Sequence, residues 1–337
     1  MLDEQVFAGL DIGGTKVLGV LIDADARVLR ETRLPTVKGR EGIVATAATM
    51  VAWLLQGAEL PMTSLGAVGI GVPGLVNPGN GHVEHAVNLG MDGSVALAPL
   101  LSARLNGVPV HADNDLNAAA FGAAHLLRGH WDAATGAANI AGTGVADAKV
   151  ADLAFLALGT GVAAGLVLDG VVRRGANGAA GELGHIPVVA DGLACPCGQR
   201  GCLEQYASGA ALDAAWPSRN GRPAPAELFD AARAGDPNAV RVRDTFAVAV
   251  AAAVRLLVLT CDVGRVVIGG GVSHLGTPLL DAVQAALREQ AAGSPFLSSM
   301  NMAARVELAP RDMPVAAIGA ALLGAARLKD SVTALSR

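Results

Sequence analysis

The chain contains one histidine and three cysteines whose types and spacing suit a metal ion. The run Glu182-Leu-Gly-His185 is followed by Cys195-Pro-Cys197-Gly-Gln-Arg-Gly-Cys202-Leu-Glu204. Three thiolates and an imidazole form the ligand set of a closed, structural zinc site, and the intervening glycines allow tight turns around the ion. We expect such a zinc to fix a loop and to place Glu182, His185 and Glu204 beside a bound ligand. The predicted zinc ligands are His185, Cys195, Cys197 and Cys202.

Two other interpretations of the cysteines are weaker. A disulfide framework is typical of short secreted chains, whereas this chain has 337 residues, four cysteines and no charged-then-apolar segment at its start. A catalytic zinc needs an open coordination position, and four good protein ligands leave none. Cys261 ends an apolar segment and is interpreted as a small buried hydrophobic residue.

The composition limits the partners that this protein can have. Apolar residues make up 52% of the chain and aromatic residues 3%, so the core must consist mainly of Ala, Val and Leu. Few aromatic rings argue against base stacking, and a net charge of −5 without a basic cluster argues against nucleic-acid binding. The most apolar segment, 246–261, contains Arg255 and is shorter than the ~20 apolar residues that span a bilayer. We therefore expect a cytoplasmic protein with neither a membrane nor a nucleic-acid partner.

Strand and helix patterns alternate along the chain, which is typical of an α/β class with mixed sheets. A hairpin is predicted from 6–10 to a second strand ending at 22, with Asp11-Ile-Gly-Gly-Thr-Lys16 at its tip. A helix is expected to begin at Asn114-Asp115, because Asn and Asp are good helix caps. Further strands are predicted at 65–70, 108–112, 150–158 and 265–268, and further helices at 42–56, 94–105, 206–215, 225–234, 237–260 and 314–328.

Three glycine turns follow predicted strands, at 13–14, 159–161 and 269–271. Backbone N–H groups in such turns can bind phosphates, and Asp11 at the first turn could hold a magnesium ion through water. One glycine turn is a weak signal, but three with two aspartates at strand and helix ends indicate a nucleotide site. The dinucleotide fingerprint fits poorly because no helix opens directly after the first turn, and the Gly-Lys-Ser/Thr end of a P-loop is absent.

In combination these motifs resemble the ROK family of bacterial sugar kinases and sugar-responsive repressors, within the actin and sugar-kinase superfamily. The resemblance covers essentially the whole chain and includes the motif order and the His–Cys spacing. Besides the cysteine cluster, the matching residues are Asp11-Ile-Gly-Gly-Thr-Lys16, Gly71-Val-Pro-Gly74, Asn88-Leu-Gly90, Asn114-Asp115-Leu-Asn117-Ala-Ala-Ala120, Leu158-Gly-Thr-Gly161, Gly178-Ala-Ala-Gly-Glu182-Leu-Gly-His185, Glu204-Gln-Tyr-Ala-Ser208-Gly209 and Ile268-Gly-Gly-Gly271.

The resemblance implies two actin-like (ribonuclease H-like) α/β domains flanking an active-site cleft. The domains would span 1–117 and 118–313, with the zinc loop at 185–202 and a last helix, about 314–330, packed back on the first domain. It also implies ATP-dependent phosphorylation of a hexose, with magnesium and a structural zinc as cofactors and a homodimeric or homotetrameric assembly.

The resemblance also implies roles for individual residues. Asp115 would be the general base, and from the residues alone a carboxylate suits the deprotonation of a sugar hydroxyl, while a plain helix cap is the alternative. His185 would serve as both zinc ligand and sugar contact. The nucleotide would be bound by Asp11, Gly13, Gly14, Thr15, Lys16, Gly159, Thr160, Gly161, Gly269, Gly270 and Gly271. The sugar would be bound by Gly71, Asn88, Asn114, Asp115, Glu182, His185 and Glu204.

Some positions depart from the family pattern and bear on the substrates. Ala163 and Ala164 stand where the second phosphate loop usually has glycine, which could weaken nucleotide binding or favour polyphosphate as donor. Met91-Asp92 stands where glucokinases often carry Trp, and Asp113 stands where Glu usually precedes Asn-Asp. Glucose is the predicted sugar, while N-acetylmannosamine, N-acetylglucosamine, fructose and mannose remain open.

Two non-enzymatic functions are the alternatives. A sugar-sensing repressor of the same family carries a winged-helix domain before the first phosphate loop, which here begins at residue 11. A non-catalytic sugar-binding protein is disfavoured by the presence of Asp11, Asp115 and both phosphate loops.

The segment 130–149 is predicted to be an inserted surface loop. It is either a tolerated insertion without a special role, which we favour, or a loop at an oligomer interface or over the cleft. Within it, Gly142-Thr-Gly-Val-Ala146 repeats the sequence of Gly159-Thr-Gly-Val-Ala163. We take the second copy as the phosphate loop because a predicted strand leads into it.

Overall fold

The computed structural model describes residues 5–128, 130–132, 137–139, 152–311 and 313–335. The chain divides into two compact units. The first unit comprises Met1–Ala148, Gly165–Ala180 and Met313–Arg337, and the second comprises Lys149–Ala164 and Gly181–Asp312. The division into domains at 117 and 313 stays a prediction.

The first unit contains a five-stranded sheet with the order β3-β2-β1-β4-β7. Strand β1 pairs antiparallel with β2, and β2 with β3, whereas β1, β4 and β7 run parallel to one another. The predicted mixed sheet and hairpin are therefore confirmed. The strands are β1 (Val6–Ile12), β2 (Lys16–Ile22), β3 (Val28–Pro35), β4 (Leu65–Val72) and β7 (Val110–Asn114), and a two-stranded sheet is formed by β5 (Leu75–Asn77) and β6 (His82–Glu84).

In the described part of the first unit, four helices accompany these strands: α1 (Arg40–Gly57), α2 (Leu97–Arg104), α3 (Asp115–Arg128) and α10 (Val315–Leu335). Helix α1 buries Ile43, Met50 and Leu54 in one hydrophobic core with residues of β1 and β4. Helix α10 buries Ala317, Ile318 and Ala321 in a separate core with Phe7, Val20, Ile22 and Ala67. Two short 3₁₀ helices lie at Met62–Ser64 and Val87–Leu89.

The backbone of α10 approaches the sheet at positions that have no side chain. A Cβ atom on Gly69 of β4 would overlap the carbonyl group of Ala320, and a Cβ on Gly9 of β1 would overlap the carbonyl oxygen of Ala317. The glycines thus allow a helix of small residues to lie directly on two parallel strands. This close packing holds the strands whose ends carry the candidate site.

The second five-stranded sheet has the order β12-β11-β10-β13-β14. Strands β10, β13 and β14 run parallel, and β11 pairs antiparallel with β12. The bounds are β10 (Leu153–Leu158), β11 (Val162–Leu168), β12 (Val171–Val172), β13 (Arg265–Gly269) and β14 (Val306–Leu308).

The helices of the second unit include one break that the sequence did not predict. The helix expected at 206–215 is divided in two at Ser208, whose hydroxyl accepts a hydrogen bond from Ala211 N and caps the second part. The α-helices are α4 (Glu204–Ala207), α5 (Gly209–Ala215), α6 (Ala224–Arg233), α7 (Pro237–Cys261), α8 (Thr277–Ala292) and α9 (Pro295–Ser299), and the 3₁₀ helices are Leu183–His185, Gly271–Leu275 and Met302–Arg305.

Among the described residues, one helix, α7, with 25 residues, is long and apolar enough to cross a membrane. Half of its most apolar window is buried, and it packs against α6 and α8. The Arg255 guanidinium donates a hydrogen bond to Gln290 Oε1 of α8 at 3.1 Å. These contacts identify α7 as the core helix of the second unit.

The predicted insertion at 130–149 falls mostly outside the described residues. The structure describes two short strands there, β8 (His130–Asp132) and β9 (Ala137–Asn139), which pair antiparallel. Residues 133–136 and 140–151, including the first copy of the repeated motif, lie outside the described residues, so the surface-loop hypothesis stays a prediction.

Substituting Gly69 by alanine should destabilise the protein strongly. Overpacking usually costs about 1–3 kcal/mol, and we expect the upper end or more because the new methyl group meets the backbone of α10. Thermal unfolding measures this directly. The control is Gly57→Ala at the end of α1, where the new Cβ would lie 3.7 Å from the Arg30 side chain. Equal melting temperatures for the two variants would contradict the packing account.

Candidate active site

Polar residues lie in one row across the carboxyl ends of the three parallel strands of the first sheet. Asp11 of β1 pairs in register with Gly71 of β4, and Gly71 pairs with Asp113 of β7. A Cβ on Gly71 would lie 3.4 Å from Asp115 Cα, so the missing side chain leaves room for the start of α3. The sheet register therefore brings the predicted residues Asp11, Gly71 and Asp115 together.

The start of α3 is capped mainly by Asn114. Its Oδ1 accepts hydrogen bonds from Leu116 N at 2.9 Å and Asn117 N at 3.3 Å, and its amide donates to the Gly74 carbonyl oxygen at 3.1 Å. Asp115 Oδ1 accepts a hydrogen bond from Leu116 N at 2.9 Å. Asn114 thus makes the contacts of a helix cap to the second and third residues of the helix, which weakens the alternative that Asp115 is a plain cap.

The Asp115 carboxylate affects the ionisation of Asp11. The pKa of Asp11 is raised to about 7, mainly by burial and also by the Asp115 carboxylate, while the Lys16 ammonium opposes the shift. Two neighbouring ionised carboxylates at a partly buried position raise the free energy of the folded state unless a cation compensates their charge. The position therefore suits a positive ion or a positively charged group of a ligand. An Asp pKa near neutrality is typical of functional sites.

The first glycine turn is fixed by contacts to later parts of the first unit. Gly13 N donates to Lys16 O at 3.0 Å, and the Thr36 hydroxyl donates to Gly13 O at 2.6 Å. A Cβ on Gly14 would lie 3.0 Å from the Asn88 carbonyl oxygen, so Asn88 lies directly against this turn. Thr15 and Lys16 are exposed at the tip.

The other two glycine turns meet in the second unit. Ala157 of β10 pairs with Gly269 of β13, so the turns at the ends of these parallel strands are neighbours. Gly209 N, at the start of α5, donates to Gly159 O at 2.7 Å. Gly270 has a positive φ of 85° and packs on the carbonyl of Leu158, where a Cβ would clash. Backbone N–H groups at such turns can bind phosphate oxygens.

Glu204 connects the cysteine-rich loop to the second glycine turn. Its Oε2 accepts a hydrogen bond from Val162 N at 3.0 Å, and a Cβ on Gly161 would overlap the same oxygen. Glu204 therefore shapes the turn, a role that the sequence did not reveal. Glu182, whose carbonyl accepts a hydrogen bond from His185 N at 3.2 Å, is exposed at the start of a 3₁₀ helix.

The histidine and the three cysteines predicted to bind zinc form one cluster. The ligand atoms of His185, Cys195, Cys197 and Cys202 all lie within 4.8 Å of one another. His185 Nδ1 is 3.9 Å from Cys195 Sγ, and Cys197 Sγ is 3.6 Å from Cys202 Sγ. A tetrahedral ion with Zn–S bonds of about 2.3 Å places its ligands roughly 3.8 Å apart, so this donor set fits zinc.

Two glutamines surround the cysteine sulfurs. Gln199 Nε2 lies 3.4 Å from Cys197 Sγ and 3.8 Å from Cys202 Sγ, and Gln205 Nε2 lies 3.6 Å from Cys195 Sγ. N–H groups that point at sulfur stabilise thiolates and orient metal ligands. The loop also turns where expected, because Gly198 and Gly201 both have positive φ angles.

The chain is similar in sequence and fold to known proteins. A family model described as the ROK family matches residues 7–327. A glucokinase of Streptomyces coelicolor is 34% identical over 294 residues, which cover 82% of this chain and 85% of the relative. An N-acetylmannosamine kinase of Citrobacter koseri is 32% identical over 263 residues, which cover 78% and 82%. The crystal structure of a ROK family glucokinase from Streptomyces griseus in complex with glucose and AMPPNP has a TM-score of 0.71 and 32% identity, covering 95% of this chain and 99% of that one.

The raised pKa of Asp11 predicts how Asp11→Asn changes stability with pH. Because the folded-state pKa rises from 3.8 to about 7, the folded protein favours the neutral acid, and stability falls as pH rises through this window. Asp11→Asn does not lose stability in this way. The melting temperature of the variant minus that of the wild type should therefore be several degrees larger at pH 8 than at pH 5. Thermal unfolding in magnesium-free buffer measures it, and a difference that is independent of pH would contradict the account.

Proposed function

The chain belongs to the ROK family, and we propose that it is a hexokinase that transfers the γ-phosphoryl group of ATP to glucose. The product would be glucose 6-phosphate. Relatives named glucokinase match at 31–34% identity over most of the chain, which supports this choice of sugar.

The observation that carries the proposal is the arrangement of Asp115 and Asp11 at the carboxyl ends of β7 and β1. Asp115 opens α3 while Asn114 makes the capping contacts, and Asp115 lies near enough to Asp11 for its charge to raise the pKa of Asp11. In the proposed reaction Asp115 accepts the proton of the sugar 6-hydroxyl. The hydroxyl oxygen then bonds to the γ-phosphorus as the bond from phosphorus to the β,γ-bridging oxygen breaks, and ADP leaves.

The nucleotide-binding residues are proposed to be Asp11, the first glycine turn and the two neighbouring glycine turns of the second unit. Their backbone N–H groups suit phosphate oxygens, and Lys16 is exposed at the tip of the first turn. A bound magnesium ion would neutralise phosphate charge, and Asp11 is the residue we propose to hold it through water. The raised pKa of Asp11 agrees with a carboxylate whose charged form is favoured only when a cation is near.

The sugar hydroxyls are proposed to be bound by Asn88, Asn114, Glu182, His185 and Glu204, with Gly71 nearby. After its capping contacts and its bond to Gly74, the Asn114 amide retains one N–H for a ligand. Because His185 Nδ1 faces the cysteines, its Nε2 is available for a sugar hydroxyl. The zinc ion proposed on His185 and the three cysteines would keep this loop folded.

N-acetylmannosamine is the second candidate sugar, because a kinase for it is 32% identical to this chain. The deciding experiment measures ADP release with magnesium-ATP against glucose, mannose, fructose, N-acetylglucosamine and N-acetylmannosamine, and repeats the glucose assay with polyphosphate as donor. We expect the highest kcat/KM with glucose and ATP. Failure to phosphorylate any of these sugars would favour a sugar-sensing regulator.

Asp115→Asn should lower kcat by roughly 10²–10⁴-fold, because the amide cannot accept the hydroxyl proton. The fold should persist, since Asn114 makes the main capping contacts. Steady-state turnover with calorimetric glucose titration separates chemistry from sugar binding. The matched control is Asp244→Asn, which alters an exposed carboxylate paired with Arg243. Near-normal kcat in a folded Asp115→Asn protein would remove Asp115 from the catalytic role.

Cys197→Ser should lose bound zinc and activity together, because binding of the ion is linked to folding of its loop. Metal analysis after dialysis and turnover on the same sample test this. Cys261→Ser is the matched control, since Cys261 lies outside the cluster at the end of α7. A fully active Cys197→Ser protein without zinc would exclude the structural role.

A further inference from the structure

Asp113 precedes the Asn114-Asp115 pair, and both of its carboxylate oxygens accept hydrogen bonds. Its Oδ1 accepts from Asn114 N at 2.9 Å and from Asn117 Nδ2 at 2.9 Å. Its Oδ2 accepts from Arg174 Nε at 2.9 Å and also from Arg174 Nη2. The side chain is 7% exposed, so the ion pair is largely buried. With two donors on each oxygen, Asp113 is suited to hold other groups in place.

Arg174 is held as firmly as its partner. Its Nη1 donates to the Val172 carbonyl oxygen at 3.4 Å, so all three guanidinium nitrogens donate hydrogen bonds. The Arg174 carbonyl oxygen accepts from Ala180 N at 3.1 Å, which closes the loop that follows β12. Arg174 and Asp113 are 61 residues apart in the chain, and their ion pair joins this loop to the end of β7.

These contacts lead from Arg174 to the proposed base in three steps. Arg174 donates hydrogen bonds to Asp113. Asp113 in turn accepts hydrogen bonds from the backbone of Asn114 and the side chain of Asn117. Asn114 directly precedes Asp115, and Asn117 lies with Asp115 in the first turn of α3. His111 and Arg327 line a small cavity together with Asp113 and Arg174. Burial and the Arg327 guanidinium lower the pKa of His111, so at neutral pH the charge around Asp113 comes from the arginines.

We propose that Arg174 is a positioning residue that acts through Asp113 to hold the Asp115 carboxylate where it meets the sugar hydroxyl. The inference rests on the proposed kinase function. A displacement of about 1 Å in a reacting group can lower a rate by about 10²-fold, so a fixed start of α3 matters for turnover. The planar fork of Arg offers two donors to one carboxylate, which Lys cannot reproduce.

The first test compares Arg174→Gln and Arg174→Lys with Arg173→Gln. Arg173 is the adjacent arginine, and it pairs with Asp169 at the surface, where their side chains are 45% and 83% exposed. We expect kcat to fall by about 10–100-fold in Arg174→Gln and by less in Arg174→Lys, with the KM for magnesium-ATP unchanged. Arg173→Gln should retain wild-type turnover. Unchanged kcat in a folded Arg174 variant would overturn the proposal, and Arg174→Lys serves if Arg174→Gln does not fold.

The second test places Arg174→Gln in the Asp115→Asn background. If Arg174 acts through Asp115, the second substitution should lower the residual kcat less than twofold. A full further loss of 10-fold or more would mean that Arg174 acts elsewhere and would overturn the proposal. If Asp115→Asn has a low kcat and Arg174→Gln has a normal kcat, the positioning role of Arg174 is wrong and the proposed base stands. Normal turnover in Asp115→Asn would remove the proposed base and this inference with it.

Discussion

The end of the first unit that carries the proposed base depends on the way the protein accommodates a buried carboxylate at the end of β7. Burying an ionised carboxylate costs several kcal/mol unless it is paired and hydrogen-bonded. The backbone N–H of Asn114, the amide of Asn117 and the guanidinium of Arg174 supply those contacts to Asp113. They join β7, the first turn of α3 and the loop after β12. The direction in which α3 leaves the sheet, and the place of Asp115, follow from this junction.

The carboxylate of Asp11, in the same unit, has the opposite character. Asp113 is fully paired, whereas burial and the charge of Asp115 hold the pKa of Asp11 at about 7. The Asp113 carboxylate is thus stabilised by hydrogen bonds within the protein, whereas the charged form of Asp11 would be stabilised by a bound cation. Such a cost to stability is characteristic of sites that bind charged ligands. In the second unit, the Glu204 carboxylate accepts a hydrogen bond from Val162 N, directly after the glycine turn at 159–161. The ligand atoms of His185 and the three cysteines lie within 4.8 Å of one another.

The sequence predicted features that depend on local chemistry. The glycine turns, the helix start at Asn114-Asp115 and the His–Cys cluster were predicted because glycine, capping residues and potential metal ligands are recognisable from type and spacing. Strand β3 was not predicted, since its mostly exposed, polar side chains lack the apolar pattern of a buried strand. The break at Ser208 was also not predicted, because the cap within it interrupts an otherwise continuous helical pattern.

Two long-range side-chain contacts could not be predicted from the sequence alone. Asp113 and Arg174 are 61 residues apart, and Glu204 is 42 residues from Val162, with no local pattern that marks either pair. The reason for the glycines of β1 and β4 becomes visible only in the fold, where the backbone of α10 lies on them. In each case the residue type was visible, but its partner depended on the tertiary fold.

The most direct test of the account is a crystal structure of this protein with glucose and a non-hydrolysable ATP analogue. The decisive measurement is the distance from the Asp115 carboxylate to the nearest sugar hydroxyl oxygen. We expect one Asp115 carboxylate oxygen to lie about 2.6–3.2 Å from the oxygen of the 6-hydroxyl, the range for a general base. An ordered sugar whose hydroxyl oxygens all lie beyond direct or single-water reach of Asp115, with the nucleotide in place, would contradict the central claim.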